Sequence, residues 1–264
     1  DWSSDVCSSD LFHPMGSTGA SCVECHMPHK NYMVIDARRD HSIRIPRPDL
    51  SAEFGHPNAC NNCHKDQSYE WAANAIERIK GPNRPIETRH PSAFHAYRTG
   101  ASGAERLLLD TSSDPNTPAF TQSAALLALR SFVSEVSNQE AIRQLESNQS
   151  LVRTAAISKL EELPYAERIL HLSPMLRDTT RVVRTEAARA LSSVPENLLS
   201  VDDKSLLGKV LVELKARYES DLDRPEAHLS LGILAENQNQ PSKAERHYLN
   251  AIVRDDLFVP ARMN

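Results

Sequence analysis

Between residues 122 and 191 the apolar positions fall on one face of a helix and return at a fixed interval. QSAALLAL (122–129), RTAAISKL (153–160) and RTEAARAL (184–191) begin 31 residues apart. In each, small Ala residues and a closing Leu stand at i, i+3, i+4-type positions, the spacing of an amphipathic helix. A repeat of this period predicts stacked helical units, and the Ala positions are where stacked backbones approach closely. Pro115, Pro164 and Pro195 mark helix ends or the turns between them. Residues 12–81 read differently. Large aliphatic residues are few, proline is frequent, and so small an apolar inventory predicts a loop-rich segment unable to build its own core. Residues 1–11, DWSSDVCSSDL, show neither the strand period nor the helix period, and seven of the eleven are Ser or Asp.

That first stretch matches, residue for residue, the translation of a common sequencing adapter. It is read as an assembly scar, so Cys7 carries no chemistry and any targeting signal lies outside the fragment. The whole composition is ordinary for a globular protein, at 40% hydrophobic and 25% charged, and a net charge of -5 gives no nucleic-acid signature. Apolar runs are only a few residues long, so no membrane span is expected.

The remaining cysteines are four, Cys22, Cys25, Cys60 and Cys63, all in the first quarter of the chain and in two pairs. Each pair sits in a CxxCH motif, CVECH (residues 22–26) and CNNCH (residues 60–64). This is the spacing of c-type haem attachment: two thiols add to the porphyrin vinyl groups and the next His, His26 or His64, ligates the iron. Two CxxC pairs with 34 residues between them could instead form a four-thiolate zinc site. A disulfide within each pair is a further alternative. The His directly after both pairs favours haem. Candidates for the distal ligand are His41 and His13 first, then His29 and His56, with Met15, Met27 and Met33 as thioether alternatives; the abundance of histidine favours bis-His ligation. Arg38, Arg39, Arg44 and Arg47 are candidate propionate contacts, because a guanidinium fork suits a carboxylate.

With CHMP, YMVIDARRDHS, RIPRPDLS, PNACNNCH and EWAA in place, this segment resembles the C-terminal haem region of bacterial multihaem cytochromes c fused to tetratricopeptide repeats. The resemblance implies further haems upstream, an extracytoplasmic and periplasmic location, and His13 and His41 as distal ligands. VRTAA and VVRTEAA resemble the second helix of HEAT-like repeats. RPEAHLSLGILAENQNQPSKAERHYLNAIVRDD resembles one tetratricopeptide unit, with Leu231, Gly232, Ala244, Tyr248 and Ala251 at its packing positions and Asp256 where a Pro is common. The expected architecture is therefore mainly α: residues 12–85 an irregular, loop-rich dihaem segment, 92–200 HEAT-like repeats, and 201–264 a truncated tetratricopeptide-like region, together a helical solenoid. The expected function is electron transfer through two covalent haems c to an unidentified redox partner protein, with the repeats docking it. Two rivals stand beside it: a fragment of a multihaem oxidoreductase acting on a small nitrogen or sulfur compound, and a zinc-stapled helical scaffold.

Overall fold

The computed structural model describes residues 12–81 and 90–264. The adapter-like stretch at 1–11, Cys7 included, and the expected boundary at 85 lie outside the described residues. The chain forms two compact units, Asp1–Pro91 and Ser92–Asn264.

The first unit is built from short elements fixed by caps and turns. A 3-10 turn at Thr18–Ala20 leads into α1, Cys22–His26, a single turn closed by Met27 N–H on the Val23 carbonyl at 2.9 Å. An antiparallel hairpin follows, β1 (His29–Tyr32) against β2 (Asp36–Arg39), with His29 opposite Arg39 and Tyr32 opposite Asp36. Its turn carries Met33 at φ 48° and Val34 at φ 74°, a left-handed region that a β-branched side chain disfavours. Helix α2, Pro48–Phe54, starts on a proline and ends at Gly55 in the left-handed conformation, an arrangement of Pro at the start and Gly past the end that suits a short helix. Asn58 caps α3, Ala59–Cys63, by accepting from Asn61 N–H at 3.2 Å; Ser68 caps α4, Tyr69–Lys80, by accepting from Trp71 N–H at 3.2 Å. Among the described residues of this unit the only buried apolar side chains are Ala20, Pro48 and Ala72. Tyr32, Met33, Val34, Ile35, Ile43 and Ile45 are all exposed.

The second unit is mainly helical and solenoid-like. After α5 (His90–Thr99) come α6 (Ala104–Ser113), α7 (Ala119–Leu129), α8 (Glu135–Gln144), α9 (Ser150–Leu160), α10 (Tyr165–Leu172) and α11 (Arg181–Leu191). Helices α7, α9 and α11 are each 11 residues long and start at 119, 150 and 181, the interval seen in the sequence. They stack in order, α7 on α9 and α9 on α11. The in-phase residues Ala125, Ala156 and Ala187 are fully buried, as are Leu129, Leu160 and Leu191. The arginines opening two of these repeats make matching bonds. Arg153 donates to the Ser147 carbonyl and reaches Asp178 at 2.8 Å; Arg184 donates to the Thr179 carbonyl and forks onto Glu213 at 2.7 and 2.6 Å. The long helix α12, Val201–Glu219, is capped by Ser200. A helical hairpin follows, α13 (Pro225–Asn237) and α14 (Pro241–Arg254), and then α15 (Val259–Met263). Gly232 lies directly against the ring of Tyr248, whose hydroxyl donates to Glu236 at 2.7 Å.

Candidate functional site

The two CxxCH motifs each occupy one helical turn, α1 and the end of α3, and the two turns pack on each other within the first unit. Among the described residues no disulfide joins the four cysteines of the motifs. Burial pushes the Cys25 thiol up, and Cys60, Cys63, Glu24 and Cys22 push it further; burial raises Cys60 as well. The thiols of one motif thus lie within electrostatic reach of the other, and both half-buried ones are neutral at pH 7.

His26 is held in one orientation. Its Nδ1 lies 2.7 Å from the Arg44 carbonyl. A carbonyl only accepts, so Nδ1 carries a proton and, in the neutral ring, the lone pair is on Nε2. This is the arrangement by which a metal-ligating histidine is oriented from behind. Arg39 fixes the same turn from the other side. It donates to Glu24 at 2.6 Å and to two carbonyls at 3.3 Å, that of Val23, which already accepts from Met27 N–H, and that of Met27 just past the helix end.

His64 follows Cys63 as the C-cap of α3, where Asn61 donates to its carbonyl at 3.2 Å and to that of Gln67 at 2.7 Å. Two rings flank it. Trp71 from α4 lies 4.9 Å away between centroids, and His13 lies 6.0 Å away at an interplanar angle of 37°. A metal–imidazole bond is about 2 Å, so two such bonds in line plus the two ring half-widths come to about 6 Å. The His13–His64 centroid separation is of this size.

The other candidates are more dispersed. His41 stands exposed at the apex of a turn in which Asp40 accepts from Ser42 N–H at 3.1 Å and from Ser42 Oγ at 2.5 Å. Hydrogen bonds from Lys30 and Ser42 hold the Asp40 carboxyl well below the usual carboxylate range. His29 opens β1 and is exposed; His56 is exposed, 6.0 Å from the Phe54 ring. All four candidate arginines have carboxylate partners: Arg38 on Asp36, Arg39 on Glu24, Arg44 on Asp40 and Arg47 on Asp49. Arg38 and Arg44 are the more exposed, at 66% and 62% of the side chain, and Arg39 and Arg47 are committed at 30% and 21%.

Sequence reasoning missed Trp71, the Arg44 carbonyl and the Glu24–Arg39 clamp as parts of this site. The apolar side chains left exposed, the paired thiols and a His directly after each pair fit a covalently attached porphyrin. Among the described residues no three His, Cys, Asp or Glu side chains are placed to hold one metal ion together. No helix of the described residues is long and apolar enough to cross a membrane.

Residues 11–105 match the family model described as cytochrome c552. The match covers both motifs but less than half of the chain, and it supports a c-type cytochrome with covalently bound haem and a part in electron transfer. No curated protein and no solved structure matches.

Proposed function

We propose that residues 12–85 hold two c-type haems and relay electrons, and that the helical unit docks the redox partner. The observation that carries this reading is the His26 Nδ1–H bond to the Arg44 carbonyl, directly after two cysteines on one helical turn. It leaves Nε2 as the nitrogen for the axial position that CxxCH attachment needs. When bound, haem supplies a one-electron change between ferric and ferrous iron.

The chain's own residues do the rest. Cys22 and Cys25 anchor one group beside His26, and Cys60 and Cys63 anchor the other beside His64. His13 is the distal ligand on the His64 side, supported by the 6.0 Å ring separation. His41, presented at its turn apex, is the candidate for the other. Arg38, paired with Asp36 and set over the Tyr32 ring, and Arg44, paired with Asp40 and Ser42, are the more exposed of the four and are the ones to turn toward a propionate. Bis-histidine ligation leaves no open position, so electrons pass and no substrate binds.

The repeat labels belong to this reading too. In-phase helices at 119, 150 and 181 support HEAT-like units, and the Gly232–Tyr248 contact supports a tetratricopeptide-like hairpin. Stacked repeats expose a continuous surface suited to a protein partner. The proposed location is the periplasm, where haem c is attached.

The test is intact mass of the denatured chain after periplasmic expression with the haem c maturation machinery. Two covalent haems and a wholly low-spin spectrum are expected. A high-spin haem in the unmutated chain would favour an oxidoreductase acting on a small nitrogen or sulfur compound. No haem with stoichiometric zinc would replace the reading with a metal-stapled scaffold.

A further inference from the structure

His13 is exposed, and Pro14, which follows it, has no side-chain donor or acceptor to hold the ring. What holds it is the backbone beyond. Ser17 N–H and Oγ both donate to the Pro14 carbonyl, at 3.0 and 2.6 Å, and turn the chain back. Ala20 N–H on the Ser17 carbonyl and Ser21 N–H on the Thr18 carbonyl close the 3-10 turn that brings residue 19 against residue 13. A Cβ placed on Gly19 would stand 2.6 Å from His13 Cγ and 2.8 Å from Nε2, and nearer still to Cδ2. Three atoms of the imidazole therefore rest on the bare Cα.

Gly19 does not have the left-handed φ that demands glycine at Gly16, which lies at +80° with open space around its Cβ position. Glycine is required at 19 for the contact and not for the backbone. We infer that Gly19 is a positioning residue for the distal ligand: its missing side chain is the floor that aims the His13 imidazole at the iron beside His64. This rests on the proposed reading that His13 ligates that iron.

The consequence has a particular signature. The ring is free to yield by swinging into solvent, so a methyl group at 19 costs the fold little. It carries the ligand away from His64, and the effect appears at the iron.

The experiment compares Gly19→Ala, His13→Ala, the double variant and Thr18→Ala in the full chain. Covalent haem is counted by mass, spin state is read by optical and EPR spectroscopy, and carbon monoxide probes for an open position on the reduced protein. Gly19→Ala should keep both haems, with one of the two becoming high-spin and binding carbon monoxide, as in His13→Ala. The double variant should match His13→Ala alone, because the two residues act as one. Thr18→Ala, in the same turn, should stay low-spin and inert. If His13→Ala opens a haem while Gly19→Ala stays low-spin and inert, the positioning role is wrong and the ligand assignment survives. If His13→Ala leaves both haems closed, the ligand assignment fails and the positioning role goes with it. If Gly19→Ala is not loaded, removing the ring in the double variant must restore both haems; failure to do so also overturns the inference.

Discussion

Two glycines in helix interiors should respond to alanine with opposite signs. Gly208 lies within α12, is exposed, and has nothing within 4 Å of where a Cβ would stand. Gly208→Ala should therefore gain helix propensity alone, about 0.5–1 kcal/mol. Gly232 lies within α13, where the same gain applies, but its Cβ would stand 2.6 Å from Tyr248 Cδ1 and 3.0 Å from Cζ. Tyr248 is 7% exposed and tied to Glu236 through its hydroxyl, so the ring cannot leave cheaply. Overpacking costs about 1–3 kcal/mol, and weakening a hydrogen bond to a carboxylate adds about 1.5 kcal/mol. Subtracting the propensity gain leaves Gly232→Ala destabilised by about 2 kcal/mol, or about 4–8 °C in a unit of this size. Urea and thermal melts followed by far-ultraviolet circular dichroism measure both. A Gly232→Ala variant as stable as the unmutated chain, with Gly208→Ala stabilised, would refute the close approach between α13 and α14 and remove the main support for the tetratricopeptide-like hairpin.

Arg39→Ala should loosen the CVECH turn by about 1–2 kcal/mol, since it removes the Glu24 pair and the bonds to the Val23 and Met27 carbonyls. Faster hydrogen exchange at residues 22–27 would report it, and Arg39→Lys, which keeps the charge without the fork, should restore it only partly. His228 and His247 meet Nδ1 to Nδ1 at 3.4 Å; burial lowers both, as do Arg254 beside His228 and the His228 and Arg246 charges beside His247. Their folded pKa values lie below the ordinary 6.5, so their contribution is full above that pH and is lost as pH falls through the folded values. The urea midpoint of the helical unit should drop between pH 7.5 and pH 5, and His228→Gln with His247→Gln should flatten that drop. Replacing Cys22, Cys25, Cys60 and Cys63 with Ala should leave residues 12–81 open to limited proteolysis while residues 92–264 persist as a resistant fragment; protection of both would show that the first unit has a core of its own.

The helical class was legible because burial repeats in the sequence itself. Ala125, Ala156 and Ala187 recur with Leu129, Leu160 and Leu191, and all six are fully buried. The first helices of the same units were not legible. Helices α6 and α8 start at 104 and 135, in phase, yet AERLLLDTSS and EVSNQEAIRQ share no apolar pattern. The buried side of α8 contains Ser137, Glu140 and Ala141, with Glu140 satisfied by Ser112, Arg143 and Gln144, so hydrogen bonding stands where periodicity was sought. The β-hairpin was invisible for a related reason. HKNY and DARR are nearly all exposed, so no alternation marks a buried face. In the site, spacing announced the CxxCH residues. It carried no sign that Arg39 would reach Glu24, 15 positions away, or that the Arg44 carbonyl would sit behind His26.

The two units meet the need for burial in opposite ways, and this bears on how the first one works. From Ser92 onward the chain supplies its own core, repeat by repeat. Residues 12–81 supply almost none, yet their local backbone is closely specified: caps at Asn58 and Ser68, a proline start and glycine end on α2, the Arg39 fork and the His26–Arg44 bond. These are hydrogen-bonded devices that need no apolar core to form. They set thiol spacing and imidazole orientation while leaving Tyr32, Met33, Val34, Ile35, Ile43 and Ile45 uncovered. On the proposed reading the polar devices prepare the ligands and the porphyrin faces complete the burial, so attachment and folding of this unit are coupled. The burial the segment lacks is then the same burial its cofactor provides.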